Sequence, residues 1–294
     1  MYLLCINMED EHMLYSEEVK IFKETHTYQE KNINGSRFHY VLSGEKGGKT
    51  LVFLNGGMNT LEMWLRYVDF LSEDYQVLLF DYPQELKTNQ KLVIGMHEFF
   101  KVLRIEQPFF IGASDGGMVA QIYAQKYHGE VGGMILISTG GMDAGTLRSL
   151  KKKYFFAPLM LFYLKHCNYE KLKPKLIKVS LGHIRNESEE EVVYAKDMFE
   201  TIFKDYKKEK DVHISGLLAD LMNQTPVTEK DFETLEGKVL LLLPDQDFFS
   251  EKMQEDLISL MHNPEIQYVS GGHLSTVLKV DAYVQSIRSF LERV

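Results

Sequence analysis

The chain has 294 residues, of which 45% are hydrophobic and 12% aromatic. This composition provides for a large buried core and excludes a disordered, collagen-like or disulfide-stapled chain. The net charge is −9, whereas nucleic-acid binding requires an excess of basic residues. We therefore expect no nucleic-acid partner.

The cysteines and the first residues of the chain indicate the cellular compartment in which the protein is expected. Cys5 and Cys167 form no C-x-x-C pair, which favours reduced thiols in a reducing compartment. The apolar start is short and is followed by the acidic residues 9–11, unlike a signal peptide. No run reaches the roughly 18 apolar residues of a spanning helix. We therefore expect a cytoplasmic protein without a membrane span.

The first part of the chain predicts a leader and then extended structure. Residues 1–24 carry mixed charge and are predicted to be a poorly specified leader, with a short helix near 16–23. Residues 25–33 and 36–42 are predicted strands, and Asn34-Gly35 between them is a strong hairpin signal.

Short apolar runs then alternate with helical patterns. Such runs are typical of strands that are buried on both faces of a parallel sheet. Helical spacing follows at 90–104 and again after residue 116. The predicted buried strands are 50–54, 76–80, 108–111, 134–137, 239–243 and 266–269.

The alternation is interrupted by a helical segment. Residues 144–236 contain no buried-strand run and predict several helices inserted into an α/β core of residues 25–143 and 237–294. The last helix places apolar residues on one face at 3.6-residue spacing. The sequence thus predicts a mainly parallel sheet with helices on both faces and an inserted helical cap.

One sequence motif indicates a catalytic residue. Gly112-Ala113-Ser114-Asp115-Gly116 matches G-x-S-x-G and lies between a predicted buried strand and an amphipathic helix. In that context the sharp turn exposes the serine above a helix N-terminus, where developing negative charge is favoured. Ser114 is therefore the candidate nucleophile.

A serine nucleophile requires a base, and the base requires a partner that orients it. His273 follows a late strand and a Gly-Gly turn, which distinguishes it from the other nine histidines. Two carboxylates, Asp245 and Asp247, follow the strand 239–243.

The order serine, acid, histidine and the strand–turn–helix context resemble the α/β-hydrolase fold superfamily. The resemblance covers most of 25–143 and 237–294 and implies Asp247 as the acid, with Asp245 as the fallback. It also implies an oxyanion hole formed by the backbone N–H groups of Gly57 and Asp115, with Met58 the next candidate after Gly57. Two features depart from the family pattern. Asn55 stands where a histidine is usual, and residues 82–86 lack the common Arg-Gly-x-Gly-x-Ser pattern.

The resemblance implies a serine hydrolase that needs neither a cofactor nor a metal. The apolar cap indicates a small-molecule substrate, namely a small to medium, partly apolar ester, thioester or lactone. Fold alone leaves C–C bond hydrolases, aminopeptidases, acyltransferases and haloperoxidases open, as well as a non-catalytic ligand-binding protein. The sequence indicates no oligomeric state.

Two further patterns have simpler explanations. Residues 43–50 nearly match a P-loop, but a strand follows instead of a helix, so we expect a turn. The lysines 151–153 beside the apolar residues 155–163 are compatible with docking at a membrane surface. A cap helix that lines the substrate entrance is the favoured interpretation.

Overall fold

A computed structural model describes residues 13–184 and 187–294. Cys5 and the first half of the predicted leader lie outside these ranges. Within them the strands are β1 (Tyr28–Ile33), β2 (Ser36–Ser43), β3 (Thr50–Leu54), β4 (Gln76–Phe80), β5 (Phe109–Ala113), β6 (Gly133–Ile137), β7 (Val239–Pro244) and β8 (Glu265–Val269). The α-helices are α1 (Tyr15–Thr25), α2 (Leu65–Leu71), α3 (Asn89–Leu103), α4 (Asp115–Lys126), α5 (Ala144–Lys153), α6 (Ala157–His166), α7 (Tyr169–Leu181), α8 (Glu189–Asp205), α9 (Lys208–Leu221), α10 (Glu251–Leu260), α11 (Ser275–Leu278) and α12 (Val280–Leu291). Short 3₁₀ helices span Leu61–Trp64, Gly182–Ile184 and Glu229–Leu235.

The strands of the described residues form one sheet in the order β1-β2-β4-β3-β5-β6-β7-β8. The first two are antiparallel to their neighbours, and all later pairs are parallel. The predicted α/β class and the predicted hairpin are therefore confirmed. Asn34 and Gly35 have φ values of 50° and 86°, the positive angles that a two-residue hairpin turn requires.

The central strands are buried on both faces, as their continuous apolar runs predict. Val52 and Leu54 of β3 belong to one apolar core, and Leu51 and Phe53 belong to the other. This alternation follows from the two-residue period of a strand. Helices cover both faces of the sheet, and the two apolar cores lie between the helices and the sheet.

The helical insertion is also confirmed, because α5 to α9 lie between β6 and β7. The short helix predicted near 16–23 corresponds to α1. Helix α1 buries Tyr15, Val19 and Phe22 and packs against α8 and α2, so it joins the insertion to the core. Within the described ranges, no helix is both long and apolar enough to cross a membrane.

The P-loop-like segment forms a turn, as expected. It joins the end of β2 to the start of β3, and Gly44 has a φ of 81°. A β-carbon at Gly44 would lie 2.1 Å from the carbonyl oxygen of Tyr75, so glycine is required there for packing.

Candidate active site

The sequence-predicted site residues follow the carboxyl ends of four parallel strands. Gly57 follows β3, Ser114 follows β5, Asp247 follows β7 and His273 follows β8. Because these ends lie along one edge of the sheet, residues far apart in sequence reach the same region, as is usual in open α/β sheets.

Ser114 lies in a sharp turn between β5 and α4. Its φ of 54° and ψ of −121° are unfavourable for a residue with a side chain. The surroundings hold this conformation: Ser114 N donates to Ile137 O (3.0 Å), and Thr139 Oγ1 donates to Ser114 O (2.6 Å). The turn therefore presents the hydroxyl group at the strand end in a fixed orientation.

The glycines of the motif are required by close packing. A β-carbon at Gly112 would lie 2.6 Å from the backbone of Gly116, and one at Gly116 would lie 2.1 Å from Leu54 O. Both distances are far shorter than a non-bonded contact allows. The turn can form only because these positions carry no side chain.

His273 is paired with Asp247. The imidazole Nδ1 lies 2.9 Å from Asp247 Oδ1, and the Asp247 side chain is only 1% exposed. Asp247 Oδ1 also accepts from the backbone N–H groups of Phe248 (2.6 Å) and Phe249 (3.4 Å). The Phe248 ring lies 4.1 Å from the imidazole, centroid to centroid. A buried carboxylate with this many donors orients the ring and stabilises its protonated form.

Asp245 has a different partner. Its Oδ1 accepts from Gly271 N (2.9 Å), and its own N–H donates to Val269 O (3.0 Å). The carboxylate therefore holds the loop that precedes His273 instead of contacting the imidazole. Of the two acids left open by the sequence, the structure brings Asp247 to the histidine.

Ser114 and His273 line the same cavity, which has a volume of about 230 Å³. Asp115 and the whole loop 55–60 also belong to its wall. The cap contributes Ser180 of α7 and Phe199 of α8. Helix α6, expected from the sequence at the substrate entrance, contributes none of the residues that line this cavity.

The loop that carries Gly57 is held by a buried polar network. Asn55 Nδ2 donates to Phe80 O (2.7 Å) and Asn59 Oδ1 (3.2 Å), and Asn55 Oδ1 accepts from Trp64 Nε1 (3.0 Å). Tyr82 closes the network, because its N–H donates to Asn59 Oδ1 (2.8 Å) and its hydroxyl donates to Asn55 O (2.9 Å). Asn55 therefore supports the loop by its own set of bonds, although it departs from the family pattern.

Comparison with solved structures is decisive for the fold. The enol-lactonase from Burkholderia xenovorans superposes with a TM-score of 0.71 over 90% of this chain and 100% of that chain, at 17% identity. A hydrolase from Pseudomonas aeruginosa gives the same TM-score at 16% identity, over 90% of this chain and 98% of that one.

The chain has the α/β-hydrolase fold.

The curated proteins that resemble this α/β-hydrolase-fold chain in sequence are distant relatives. No family model matches it. It is 30% identical to human monoacylglycerol lipase ABHD6 over 122 residues, which are 37% of this chain and 36% of the relative. The chain thus matches about a third of the length of that curated relative. The proline iminopeptidase PfmaB of Pestalotiopsis fici is 23% identical over 89% of this chain and 98% of its own length.

Asn55 provides a test of the network in this α/β-hydrolase fold. Asn55→Ala removes three side-chain hydrogen bonds and leaves buried partners unpaired, so we expect the free energy of unfolding to fall by about 3 kcal/mol. Tyr82→Phe removes one bond and should cost about 1 kcal/mol. Urea unfolding of both variants measures the difference. Equal losses would contradict the view that Asn55 is the centre of the network.

Asp115 has a role beyond its backbone N–H group. Its Oδ2 lies against Gly57, 3.5 Å from where a β-carbon on that glycine would be. Burial raises the pKa of the Asp115 carboxyl from 3.8 to about 6, and the nearby His273 imidazole opposes the rise. The sequence motif does not predict this, because any residue type can follow the serine in G-x-S-x-G.

The raised pKa of Asp115 makes stability depend on pH. The folded state binds the proton more tightly than the unfolded state, so stability is lost as pH rises from about 4 to about 6. Asp115→Asn removes this loss. We therefore expect the difference in free energy of unfolding, variant minus wild type, to be about 2 kcal/mol larger at pH 7.5 than at pH 4.5. Urea unfolding at the two pH values measures it.

Asp205→Asn is the matched control, because Asp205 is exposed at the end of α8. Its effect should be the same at both pH values, within about 0.5 kcal/mol. A pH-independent effect of Asp115→Asn would contradict the assignment of the raised pKa to this carboxyl.

The cap is hydrogen-bonded to the loop after β3 and to the loop after β8. Tyr206 OH donates to Met58 O in the loop after β3 (2.7 Å). Glu187 Oε1 accepts from Gly272 N beside His273 (3.2 Å), and Lys279 Nζ lies 2.9 Å from Glu187 Oε2. Sequence analysis missed these cap residues, because nothing in their local pattern indicates which loop they contact.

Proposed function

We propose that this chain is a serine hydrolase that uses Ser114 as nucleophile, His273 as general base and Asp247 as the acid that orients the histidine. The observation that carries the proposal is the pairing of His273 with the buried Asp247 beside a serine held in a strained turn in the wall of the same cavity. A base that is itself oriented by a third group is the arrangement that activates a serine hydroxyl.

In the first half of the reaction, Ser114 Oγ attacks the substrate carbonyl carbon while His273 accepts the hydroxyl proton. Asp247 stabilises the resulting imidazolium through its bond to Nδ1. The backbone N–H groups of Gly57 and Asp115 donate to the oxyanion of the tetrahedral intermediate. Collapse of the intermediate expels the alcohol or thiol, which takes its proton from His273 and leaves Ser114 acylated.

In the second half, water attacks the acyl carbon while His273 accepts a proton from it. The second tetrahedral intermediate then collapses, the proton returns to Ser114 Oγ, and the carboxylic acid leaves. The cycle consumes only substrate and water, so it requires no cofactor.

The cavity supports a small, partly apolar substrate. Its volume of about 230 Å³ is below the roughly 300–1,000 Å³ of pockets that enclose a drug-sized ligand. Apolar side chains from both core and cap line it, among them Met63, Phe199 and Val277. The names of two similar proteins, an enol-lactonase and a monoacylglycerol lipase, are consistent with an ester or lactone.

The proposal is tested by labelling and by a substrate series. A fluorophosphonate probe should modify Ser114, as found by peptide mapping, and kcat/KM on p-nitrophenyl esters should be highest for short acyl chains. Labelling at another residue, or none, would overturn the serine assignment. A maximum at long acyl chains would leave the nucleophile in place but contradict the small-substrate assignment.

The Asp115 carboxyl favours a second candidate reaction, release of an N-terminal residue from a peptide. Above pH 6 this half-buried carboxylate in the cavity wall is mostly ionised and can pair with a substrate ammonium group. The relative matched along 98% of its length is a proline iminopeptidase. If this reaction is the correct one, prolyl p-nitroanilide should be cleaved and its N-acetyl derivative should not, and Asp115→Asn should remove the preference.

A further inference from the structure

The cap exposes a continuous run of apolar side chains that takes no part in the cavity. This run, called the α6 patch here, consists of the loop between α5 and α6 and the outer face of α6. Leu164 is the buried residue of α6. The exposed members and their exposed fractions are Tyr154 (40%), Phe155 (79%), Phe156 (44%), Leu159 (68%), Met160 (55%), Phe162 (61%) and Tyr163 (53%).

Such a patch is unusual on a protein surface. Single exposed apolar residues need no explanation, but a contiguous group of large apolar side chains marks an interaction site. Helix α6 packs on α9 and buries Leu164, so the opposite face has no partner among the described residues. The ligand cavity is lined from the cap by α7 and α8 instead.

The charge around the α6 patch indicates its partner. Residues 144–169 contain five Lys or Arg residues and no Asp or Glu, although the whole chain has a net charge of −9. Lys151, Lys152 and Lys153 form the last turn of α5 directly before the patch, and Lys165 lies at its far end. All four lysines are exposed. The segment that carries the patch is therefore basic, although the whole chain is acidic.

We infer that the α6 patch docks on the surface of an anionic lipid bilayer. The patch consists of an exposed helix face and the loop before it, so its aromatic and aliphatic side chains can enter the boundary between headgroups and acyl chains. The flanking lysines then lie at the level of the anionic headgroups, where each adds electrostatic attraction. The inference concerns binding alone and does not depend on the proposed catalytic reaction.

Flotation with large vesicles tests the inference with the full chain. Wild type should float with vesicles of 30% phosphatidylserine and 70% phosphatidylcholine, and its partition coefficient should fall at least tenfold on pure phosphatidylcholine. Replacing Lys151, Lys152 and Lys153 together with glutamate should lower partition on the anionic vesicles by about a hundredfold or more. The triple change Phe155→Ser, Leu159→Ser and Phe162→Ser should lower it to a similar extent.

Exposed apolar residues elsewhere supply the matched control. Ile94 and Val102 of α3 are 43% and 48% exposed, and the double change Ile94→Ser and Val102→Ser should leave partition within about twofold. The patch variants should keep wild-type unfolding midpoints, because their side chains are exposed.

Three results would overturn the inference. They are a failure to recover wild type with anionic vesicles, binding of the serine variant equal to that of wild type, and a partition coefficient that does not change with lipid charge. A concentration-dependent dimer that is abolished by the serine variant, without vesicle binding, would show instead that the patch joins two copies of the chain.

Discussion

Alanine in place of Ser114 should lower kcat on p-nitrophenyl acetate by about 10⁴–10⁶-fold, since the proposed reaction proceeds through a bond to its hydroxyl oxygen. The turn should persist, because Ser114 N donates to Ile137 O and Ser114 O accepts from Thr139 Oγ1, and neither bond uses the Ser114 side chain. We therefore expect the free energy of unfolding to change by no more than about 1 kcal/mol. Initial rates and urea unfolding of the same preparations measure both effects.

Ser138→Ala is the matched control for this experiment. Ser138 also follows a central strand and also has a positive φ, 47°, but it is not part of the cavity wall. Its kcat should stay within about threefold of the wild type. A Ser114 variant that retains more than a tenth of the wild-type kcat would exclude Ser114 as the nucleophile.

Asp247→Asn should lower kcat by about 10⁴-fold, or about 5 kcal/mol of transition-state stabilisation. The amide can occupy the same space, but it cannot stabilise the imidazolium as a carboxylate does, and its NH₂ group favours the wrong imidazole tautomer. Because Asp247 is 1% exposed and receives two backbone N–H groups, no solvent ion can replace its charge at that position.

Asp245→Asn makes the same chemical change two residues away. The amide oxygen can still accept from Gly271 N, so the loop before His273 should hold and kcat should fall less than tenfold. Rates for both variants over pH 5–9 separate the two roles. A larger loss for Asp245→Asn than for Asp247→Asn would reverse the assignment of the acid.

Much of the core could be predicted from local sequence. Residues 50–54 and 76–80 form strands at their predicted positions, because a strand buried on both faces must be continuously apolar. Asn34-Gly35 specifies its turn through backbone angles that few other residue pairs adopt. The G-x-S-x-G turn was detectable for the same reason, since Gly112 and Gly116 are needed where a β-carbon would collide with the backbone.

Other features depend on contacts that local sequence does not record. Nothing in the pattern 244–247 distinguishes an acid that meets Gly271 from one that meets His273, because the distinction lies in how the turn projects each side chain. The support of the Gly57 loop by Asn55 depends likewise on Tyr82, which comes from another strand end. The sequence predicts the short helix α1 but not its packing partner, because α8 is over 150 residues away.

The amino-acid sequence by itself determined which segments form the strands of the sheet, where the chain turns sharply and which few side chains have the chemistry of a nucleophile, a base and an acid. These properties arise from backbone angles and apolar periodicity, which act over a few residues. Only the tertiary structure decided which acid meets the imidazole, what supports the loop after β3 and which cap helices face the cavity instead of solvent. Those outcomes depend on how elements pack across the sheet edge, and packing is set by the whole chain at once.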